Sequence, residues 1–448
     1  MTQVGMQILG IFIGLIFMWS TVDLIWPSLL GIVAFGMSDY LSMGEAIAAG
    51  LGSQIVWMLL MLMILSEAIR VSGVGEYIAR WIITRKFLNG RPFLFTFIFL
   101  WCFFVCTILL GTIAEIFLSW AIFYSIAEMV GYQKGERYSG AMIIACLLAG
   151  IVGGGMVPFQ GWMLALCGAY GQATGTPINY AQYMLIAFII GSLMMLLTAL
   201  AIKYVFRCDM SKLKNFDVRQ LRSDGPSRMT IQQKCYLFSF LIIIIYVFAT
   251  TLLPADAPGM GGLLRLTQAG MFALIIIIQC FIRIDGKPII NFVQLAKEGV
   301  NWNVILICSS AIPVASALTS DATGVKTMMN NLLSPVFSGM GALPFIIIVV
   351  VATVILTNIG SNIGVAMMLI PITVPFVADL GISPAIIGIA IIFLANMGFV
   401  LPGSSGMAPF LYSNDWITVK DIYKYGIGYC LICIIAAIPV LYIASFVL

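Results

Sequence analysis

The 448-residue chain contains no histidine, and only 9% of its residues are charged. The lack of histidine removes the side chain that most often carries protons near neutral pH, so any proton coupling must use carboxylates. The scarcity of charge, with 62% hydrophobic residues and a mean hydropathy of +1.09, excludes a soluble globular domain. An enzyme is not expected, because the sequence has no phosphate-binding loop and no convincing catalytic dyad.

The sequence also supports neither a cleavable signal peptide nor a metal or redox centre. Met1 to Gly5 contain no basic region, and no cleavage site of the usual small-residue kind follows the first apolar run. Most of the ten cysteines lie in apolar runs, where they serve as small packing residues. The Cys430-x-x-Cys433 pair lies within a helical pattern, so we do not expect it to bind a metal.

What the chain has instead is long continuous apolar runs, typical of membrane-spanning helices and unlike the alternating strands of a barrel. We predict an all-α integral membrane protein with about ten crossings, at about residues 6–20, 22–37, 53–70, 139–168, 180–205, 236–253, 266–282, 302–319, 385–413 and 425–447. Two further apolar stretches, 92–130 and 341–378, contain polar breaks. They are predicted to be re-entrant hairpins, since about a dozen apolar residues on each side of the second break are too few to span. Amphipathic segments at Val74–Lys86 and Val325–Phe337 are predicted to lie along the membrane interface.

Basic residues predict the orientation. Eight of the 22 Lys and Arg residues fall in segment 203–235, which is therefore predicted to be cytoplasmic, with both chain ends outside. The chain then divides into a first repeat (1–206), a cytoplasmic linker (207–234) and a second repeat of inverted topology (235–448).

Sequence correspondences support this division. One constant spacing separates Gly73-Val74 from Gly324-Val325 and Leu110-Gly111-Thr112 from Ser361-Asn362-Ile363. Paired inverted repeats that each contain a broken hairpin and a discontinuous helix indicate a secondary transporter with its site where the repeats meet.

Each half has a break at its hairpin and a glycine-rich break further along. The second hairpin breaks at Thr357 to Gly364, and the later breaks are Gly150 to Gln160 and Asn396 to Gly406. Glycine and proline at this density unwind a helix and free backbone carbonyls, which suit sodium when hydroxyl and amide oxygens lie beside them. Helix N-termini at the same place favour an anion. Close helix packing is the alternative explanation for such glycines in a membrane.

At these residues the chain resembles the divalent anion/sodium symporters and, more widely, the ion-transporter superfamily with arsenite exporters and sodium/proton antiporters. That family has a Ser-Asn-Thr motif at each hairpin tip, a hydroxyl residue one helical turn earlier and a Met-Leu-Pro-like end. Ser361-Asn362-Ile363, with Thr357 before it and Pro371 after it, is similar. Phe399 to Ser405 is similar to the family's later break. The resemblance covers most of the chain in topology and is specific over these second-half segments.

The resemblance implies a secondary active transporter that moves a small anion, such as a di- or monocarboxylate, coupled to sodium or protons by alternating access. A cation/proton antiporter and, less favoured, a channel are the alternatives. No cofactor is expected beyond the coupling ion. The expected partners are the anionic substrate and the lipid bilayer of the cell membrane (the inner membrane in a bacterium), with no nucleic acid; dimers are common in that family, which leaves a homodimer open. The predicted substrate-binding residues are Thr112, Ser361, Asn362, Pro402, Ser404 and Ser405, and the predicted ion-binding residues are Thr357, Ser361, Asn362, Gly398, Glu115 and Gly154.

The first half departs from the family pattern at its hairpin. Leu110-Gly111-Thr112 keeps only the Thr, and Cys106 stands where the family has a hydroxyl, so a first sodium site of the usual kind is in doubt. Glu115 follows three residues after Thr112. A carboxylate at membrane depth is costly, so Glu115 is predicted to replace a sodium ligand, carry a proton or hold a cationic group. The alternative is a carboxylate in a water-filled vestibule with no direct role.

Overall fold

The computed structural model describes residues 1–159, 162–215, 229–254, 256–284, 286–325, 327–328, 331, 340–360, 362–377 and 380–446. Ser361 and most of the predicted interfacial helix Val325–Phe337 lie outside these residues. Among the described residues, nine helices are long and apolar enough to cross a membrane, or ten if the bent pair Phe292–Gly299 and Trp302–Leu318 forms one span. The prediction of an all-α, multi-pass membrane protein is confirmed.

The described part of the first half consists of helices joined by short turns. The helices are α1 (Gln3–Thr21), α2 (Ile25–Gly36), α3 (Met43–Ala49), α4 (Gln54–Ser72), α5 (Val74–Ile83), α6 (Pro92–Leu110), α7 (Thr112–Val130), α8 (Arg137–Gly155), α9 (Met163–Thr174) and α10 (Tyr180–Leu200). Shorter turns of 3₁₀ or π-helix cover Lys86–Leu88, Ala201–Val205 and Ser211–Asn215. Helix α5 coincides with the first predicted interfacial helix.

The second half is also helical, apart from one small strand pair. Its described helices are α11 (Ile231–Leu252), α12 (Met260–Phe281), α13 (Phe292–Gly299), α14 (Trp302–Thr319), α15 (Ala342–Ile359), α16 (Asn362–Val377), α17 (Pro384–Leu394), α18 (Ala408–Tyr412) and α19 (Val419–Ala444). Strands β1 (Arg283–Ile284) and β2 (Lys287–Pro288) pair antiparallel between α12 and α13. Helix α11 begins within the predicted linker, and α12 is kinked at Thr267, whose φ is 52°.

Each half contains a hairpin whose two helices are separated by a very short break. Only Gly111 separates α6 from α7, and its φ of 76° lies in the left-handed region that favours glycine. Helix α15 has 18 residues and α16 has 16, so the arms extend beyond the dozen apolar residues on each side of the break. Helix α15 continues through the polar residues at its tip, since their side chains find partners elsewhere in the fold. The breaks, and not the arm lengths, therefore distinguish these hairpins from the other helices.

A discontinuous helix follows each hairpin, as predicted. Helix α8 ends at Gly155 and α9 begins at Met163; α17 continues into a 3₁₀ turn, Ala395–Met397, before the chain unwinds as far as α18. Helix α8 packs against α6 and α7, and α17 packs against α15 and α16. Nearly all of α8 is buried, and its small residues allow this close packing. Each later break therefore lies beside the hairpin of its own half.

One end of the bundle gathers segments that the positive-inside rule assigns to the cytoplasm. Lys212, at the start of the linker, lies 2.7 Å (Nζ) from Glu136 Oε1 in the loop after α7. Lys134 of the same loop pairs with Asp415, just before α19, and its ammonium group lowers the pKa of that carboxyl. These two ion pairs bring the start of the linker, the loop after α7 and the segment before α19 together.

The side of the membrane on which this end lies is open to a direct test. A cysteine at Gln220 in the linker is expected to react with a membrane-impermeant thiol reagent only in opened cells. A cysteine at Met37, which is 78% exposed beyond α2 on the predicted outer side, is expected to react in intact cells. Labelling is measured in a background whose ten native cysteines are replaced. Reaction of position 220 in intact cells would contradict the inverted-repeat topology.

Candidate ion and substrate site

The tip of the second hairpin brings together oxygen atoms from three chain segments. Thr357, in the last turn of α15, is fully buried, and its Oγ1 lies 2.7 Å from Asn362 Oδ1 and 2.5 Å from the Ala395 carbonyl oxygen. A hydroxyl carries one hydrogen, so it donates to only one of these acceptors at a time. The cluster thus offers more oxygen lone pairs than hydrogens, a composition that suits a hard cation.

Gly398 brings the backbone of the later break against this cluster. A Cβ on Gly398 would lie less than 3.0 Å from both Asn362 Oδ1 and the Thr357 carbonyl oxygen, a separation that real Cβ atoms essentially never show. Its φ of −82° is open to any residue, so the close approach requires the glycine, and the backbone conformation does not. The predicted ion-binding residues Thr357, Asn362 and Gly398 are therefore in one place.

Asn358, beside Thr357, joins the hairpin to the later break through both ends of its amide. Its Nδ2 donates to the Val354 and Met397 carbonyl oxygens, each at 2.8 Å. Its Oδ1 accepts hydrogen bonds from the backbone N–H groups of Phe399 at 3.2 Å and Val400 at 3.0 Å. This one side chain holds the unwound segment that carries Gly398.

The polar residues further along the second break mainly stabilise local turns. Ser404 Oγ donates to the Leu401 carbonyl at 2.6 Å, and Ser405 Oγ accepts from the N–H groups at the start of α18. Pro402 is exposed at the surface of the chain. In this state, the three residues predicted here to bind substrate are not joined to the Thr357 cluster by any hydrogen bond among the described residues.

The first hairpin approaches its own break in a similar way. A Cβ on Gly154 would lie less than 3.0 Å from Thr112 Oγ1, and one on Gly153 would meet the side chain of Thr107 just as closely. Thr107 Oγ1 already donates to the Phe103 carbonyl at 2.7 Å. The structure therefore brings Thr112 and Gly154 together, and glycine is needed on α8 where the tip of the hairpin touches it.

The chemistry of the two tips differs. At the constant spacing between the repeats, Cys102 and Cys106 stand where the second half has Thr353 and Thr357. The Cys102 and Cys106 sulfur atoms lie 3.9 Å apart and are buried. Thiols are softer ligands than hydroxyls and match sodium poorly. At these two positions the first tip therefore has thiols where its counterpart has hydroxyl oxygens.

Glu115, in the first turn of α7, is fully buried beside these cysteines. Neither carboxyl oxygen has a hydrogen-bond partner among the described residues. A Cβ on Gly150 would overlap Glu115 Oε2, which shows that the carboxyl lies directly against the backbone of α8. In this state Glu115 does not face a water-filled vestibule.

The two later breaks meet in the interior. Asn396 Nδ2 lies 2.6 Å from where a Cβ on Gly155 would be, and it donates to the Phe393 carbonyl oxygen at 3.3 Å. Tyr183 OH donates to the Gly155 carbonyl oxygen at 2.7 Å, which satisfies an acceptor freed at the end of α8. The first break thus contacts the second at Gly155 and Asn396, where a site shared between repeats is expected.

Comparison with known proteins identifies the family to which this chain belongs. The family model described as citrate transporter matches residues 14–393, which include both hairpin tips. The chain belongs to the citrate transporter family. This match confirms the predicted resemblance to anion/sodium symporters. So do relatives of this chain that are named as sodium-dependent dicarboxylate transporters.

Among these relatives, SdcS of Staphylococcus saprophyticus subsp. saprophyticus is 22% identical over 311 residues, which are 68% of this chain and 59% of that protein. SdcS of Staphylococcus aureus (strain USA300) is 23% identical over 318 residues, with the same shares. The sodium-dependent high-affinity dicarboxylate transporter 2 of Caenorhabditis elegans is 22% identical over 148 residues, 33% of this chain and 26% of that protein. This chain therefore spans 59% of the length of either SdcS protein.

Two solved structures are similar in fold. MtrF of Neisseria gonorrhoeae, described within a class of antimetabolite efflux pumps, has a TM-score of 0.59 at 14% identity and covers 94% of this chain and 85% of that chain. The YdaH transporter of Alcanivorax borkumensis, described as having an unusual topology, has a TM-score of 0.55 at 12% identity and covers 89% and 86%. At these identities the likeness shows the fold alone.

Three residues of the candidate site were not singled out from the sequence: Asn358, Asn396 and Ala395, whose carbonyl oxygen contributes to the cluster. A signal existed for Asn358, because an amide inside an apolar arm must find partners at membrane depth. Ala395 gives no such signal, since its contribution comes from the backbone at the end of α17. Glu115 was singled out, but its position between Cys106 of α6 and Cys146 of α8 was not foreseen.

Proposed function

We propose that this member of the citrate transporter family is a secondary active transporter that carries a small carboxylate anion with sodium by alternating access. The oxygen cluster of Thr357, Asn362 and Ala395 is the observation that carries the proposal. It joins a broken hairpin to a broken helix, and non-helical backbone at membrane depth is tolerated where it lines a site or is buried in protein. The names of the relatives support both the anion and the sodium.

Sodium would bind where side-chain and backbone oxygens converge. Asn362 Oδ1 and the Ala395 carbonyl oxygen each lie within hydrogen-bond distance of Thr357 Oγ1, and the Thr357 carbonyl lies against Gly398. These candidate sodium ligands are all neutral oxygens, which suit a hard monovalent cation. Helices α7 and α16 begin at the two hairpin tips, and the partial positive charge of their N-termini would favour a carboxylate substrate nearby.

Removing the Thr357 hydroxyl tests this proposal. Thr357→Val keeps the shape of the side chain and removes one sodium ligand, so we expect the sodium concentration for half-maximal uptake to rise by about tenfold or more. Asn362→Ala is expected to abolish sodium-dependent uptake. The measurement is uptake of citrate and of a C4 dicarboxylate into proteoliposomes against a sodium series, with sodium-induced thermal stabilisation of the purified protein as a second readout.

Thr353→Val is the matched control. Thr353 is fully buried on the same helix, one turn earlier, and its Oγ1 donates only to the Val349 carbonyl, at 2.7 Å, among the described partners. It should leave the sodium dependence close to wild type. If both Thr357→Val and Asn362→Ala retain wild-type sodium dependence, the break is a turn without an ion site.

A cation/proton antiporter is the second candidate, favoured by the buried carboxyl of Glu115. The two functions differ in what moves with the ion. A symporter accumulates the carboxylate in response to an inward sodium gradient, while an antiporter exchanges sodium for protons without any anion. Sodium-driven proton movement in vesicles that contain no carboxylate would favour the antiporter.

A further inference from the structure

The side chains that enclose the Glu115 carboxyl among the described residues are uncharged, although the carboxyl lies in the first turn of α7, where the helix end has a partial positive charge. Helix α6 contributes Cys102 and Cys106, and α8 contributes Cys146, whose thiol lies within electrostatic range of the carboxyl. On α7 itself, Ser119 lies close to the carboxyl, but its hydroxyl donates to the Ile116 carbonyl at 3.0 Å. A buried carboxylate without a partner is unfavourable, so the neutral form fits this space.

The charged residues of the elements packed on α7 lie away from this pocket. Helix α6 contains none, and the only one on α8 is Arg137, at its first residue. Lys212 of the 211–215 turn pairs with Glu136 beyond the opposite end of α7. No ion pair among the described residues includes Glu115. Among the described residues no cationic side chain neutralises Glu115, so its neighbours favour the neutral carboxylic acid.

The position of the carboxyl connects its protonation to the packing of the hairpin. Glu115 Oε2 lies against Gly150, three residues before Gly153, where the tip of the first hairpin also touches α8. Separation of α7 from α8 would admit water to the carboxyl, and water stabilises the charged form. Close packing of the two helices favours the protonated carboxylic acid.

We propose that Glu115 is the proton-binding site of the first repeat, occupied when the first hairpin packs on α8 and released to water when that contact opens. This inference rests on the proposed transport function, and it assigns to the first repeat a proton where the second repeat has the oxygens for sodium. The step is a simple ionisation, in which the carboxylic acid gives its proton to water and leaves a carboxylate.

Glu115→Gln keeps the shape of the side chain and cannot ionise, and Glu128→Gln, at an exposed position on the same helix, is the matched control. Proton movement that accompanies carboxylate uptake is measured in proteoliposomes with an enclosed pH-sensitive dye. We expect wild type and Glu128→Gln to move protons with citrate uptake, and Glu115→Gln to lose this proton movement. Proton movement in Glu115→Gln equal to that of wild type would overturn the proposal.

A second readout does not depend on transport. The packed state holds a proton that an unfolded carboxyl releases, so the melting temperature of the purified protein should fall as pH rises. Glu115→Gln should flatten this dependence, and Glu115→Asp, which retains a carboxyl, should keep it with a shifted midpoint. If the Gln variant does not fold, loss of the pH dependence in Glu115→Asp would overturn the proposal. If wild type carries no carboxylate, the proposed function fails while the melting curves still decide the role of Glu115.

Discussion

Gly398→Ala is expected to abolish sodium-dependent carboxylate uptake and the stabilisation of the purified protein by sodium. The added methyl group would meet Asn362 Oδ1 and the Thr357 carbonyl oxygen at less than 3.0 Å. One of these atoms belongs to the backbone, and Asn362 Oδ1 is held near Thr357 Oγ1 at 2.7 Å, so neither can move away cheaply. Overpacking of this kind typically costs about 1–3 kcal/mol, and here it also separates the proposed sodium ligands.

The same break provides two controls of identical chemistry. A Cβ on Gly403 or Gly406 would have no neighbour within 4 Å, so Gly403→Ala and Gly406→Ala should retain uptake and sodium affinity. The three variants are compared in sodium-dependent uptake and in melting temperature with and without sodium. Near-normal sodium dependence in Gly398→Ala would show that the backbone of the break need not approach the hairpin tip.

Gly398 also illustrates which features the sequence predicts. Glycines and polar residues inside long apolar runs have few explanations other than breaks, so both hairpin breaks and both later breaks could be placed from composition and spacing. The partner of each glycine could not be placed. Gly398 meets Asn362 and Gly155 meets Asn396 through contacts between distant segments, and these depend on how the unwound backbone runs.

The arms of the second hairpin show a related limit of pattern reasoning. Thr357-Asn358-Ile359 looks like a loop, because a polar pair interrupts an apolar run. It remains helical because Thr357 reaches Ala395 and Asn358 reaches Met397, both in the later break. Tertiary partners thus extend α15 beyond the length that hydrophobicity predicts. Conversely, the Ser404 hydroxyl, predicted to bind substrate, donates to a carbonyl in its own turn.

Asn358→Leu is expected to impair transport as severely as loss of a sodium ligand, although Asn358 is not in the proposed ligand set. Leucine has a similar volume but no polar atoms, so it leaves the Met397 carbonyl and the N–H groups of Phe399 and Val400 without their partner. Each buried group left unpaired costs about 1–3 kcal/mol. The segment that carries Gly398 would then lose its position against the hairpin.

Asn358→Asp separates the two ends of the amide. An aspartate keeps an acceptor for the Phe399 and Val400 N–H groups, but an ionised one cannot donate to the Val354 and Met397 carbonyl oxygens and would repel them. If Asn358 positions the sodium site, both variants should raise the half-saturating sodium concentration by about tenfold or more, and the Asp variant should recover in part at low pH, where a protonated carboxyl can donate again.

Thr353→Val on the same helix should show neither effect. A merely structural role predicts lower melting temperatures with unchanged sodium affinity in the protein that remains folded. Sodium titrations of uptake and of thermal stability therefore distinguish positioning from stability, because only a residue that sets the spacing between Thr357, Asn362 and Gly398 can change the affinity of the site without contacting the ion.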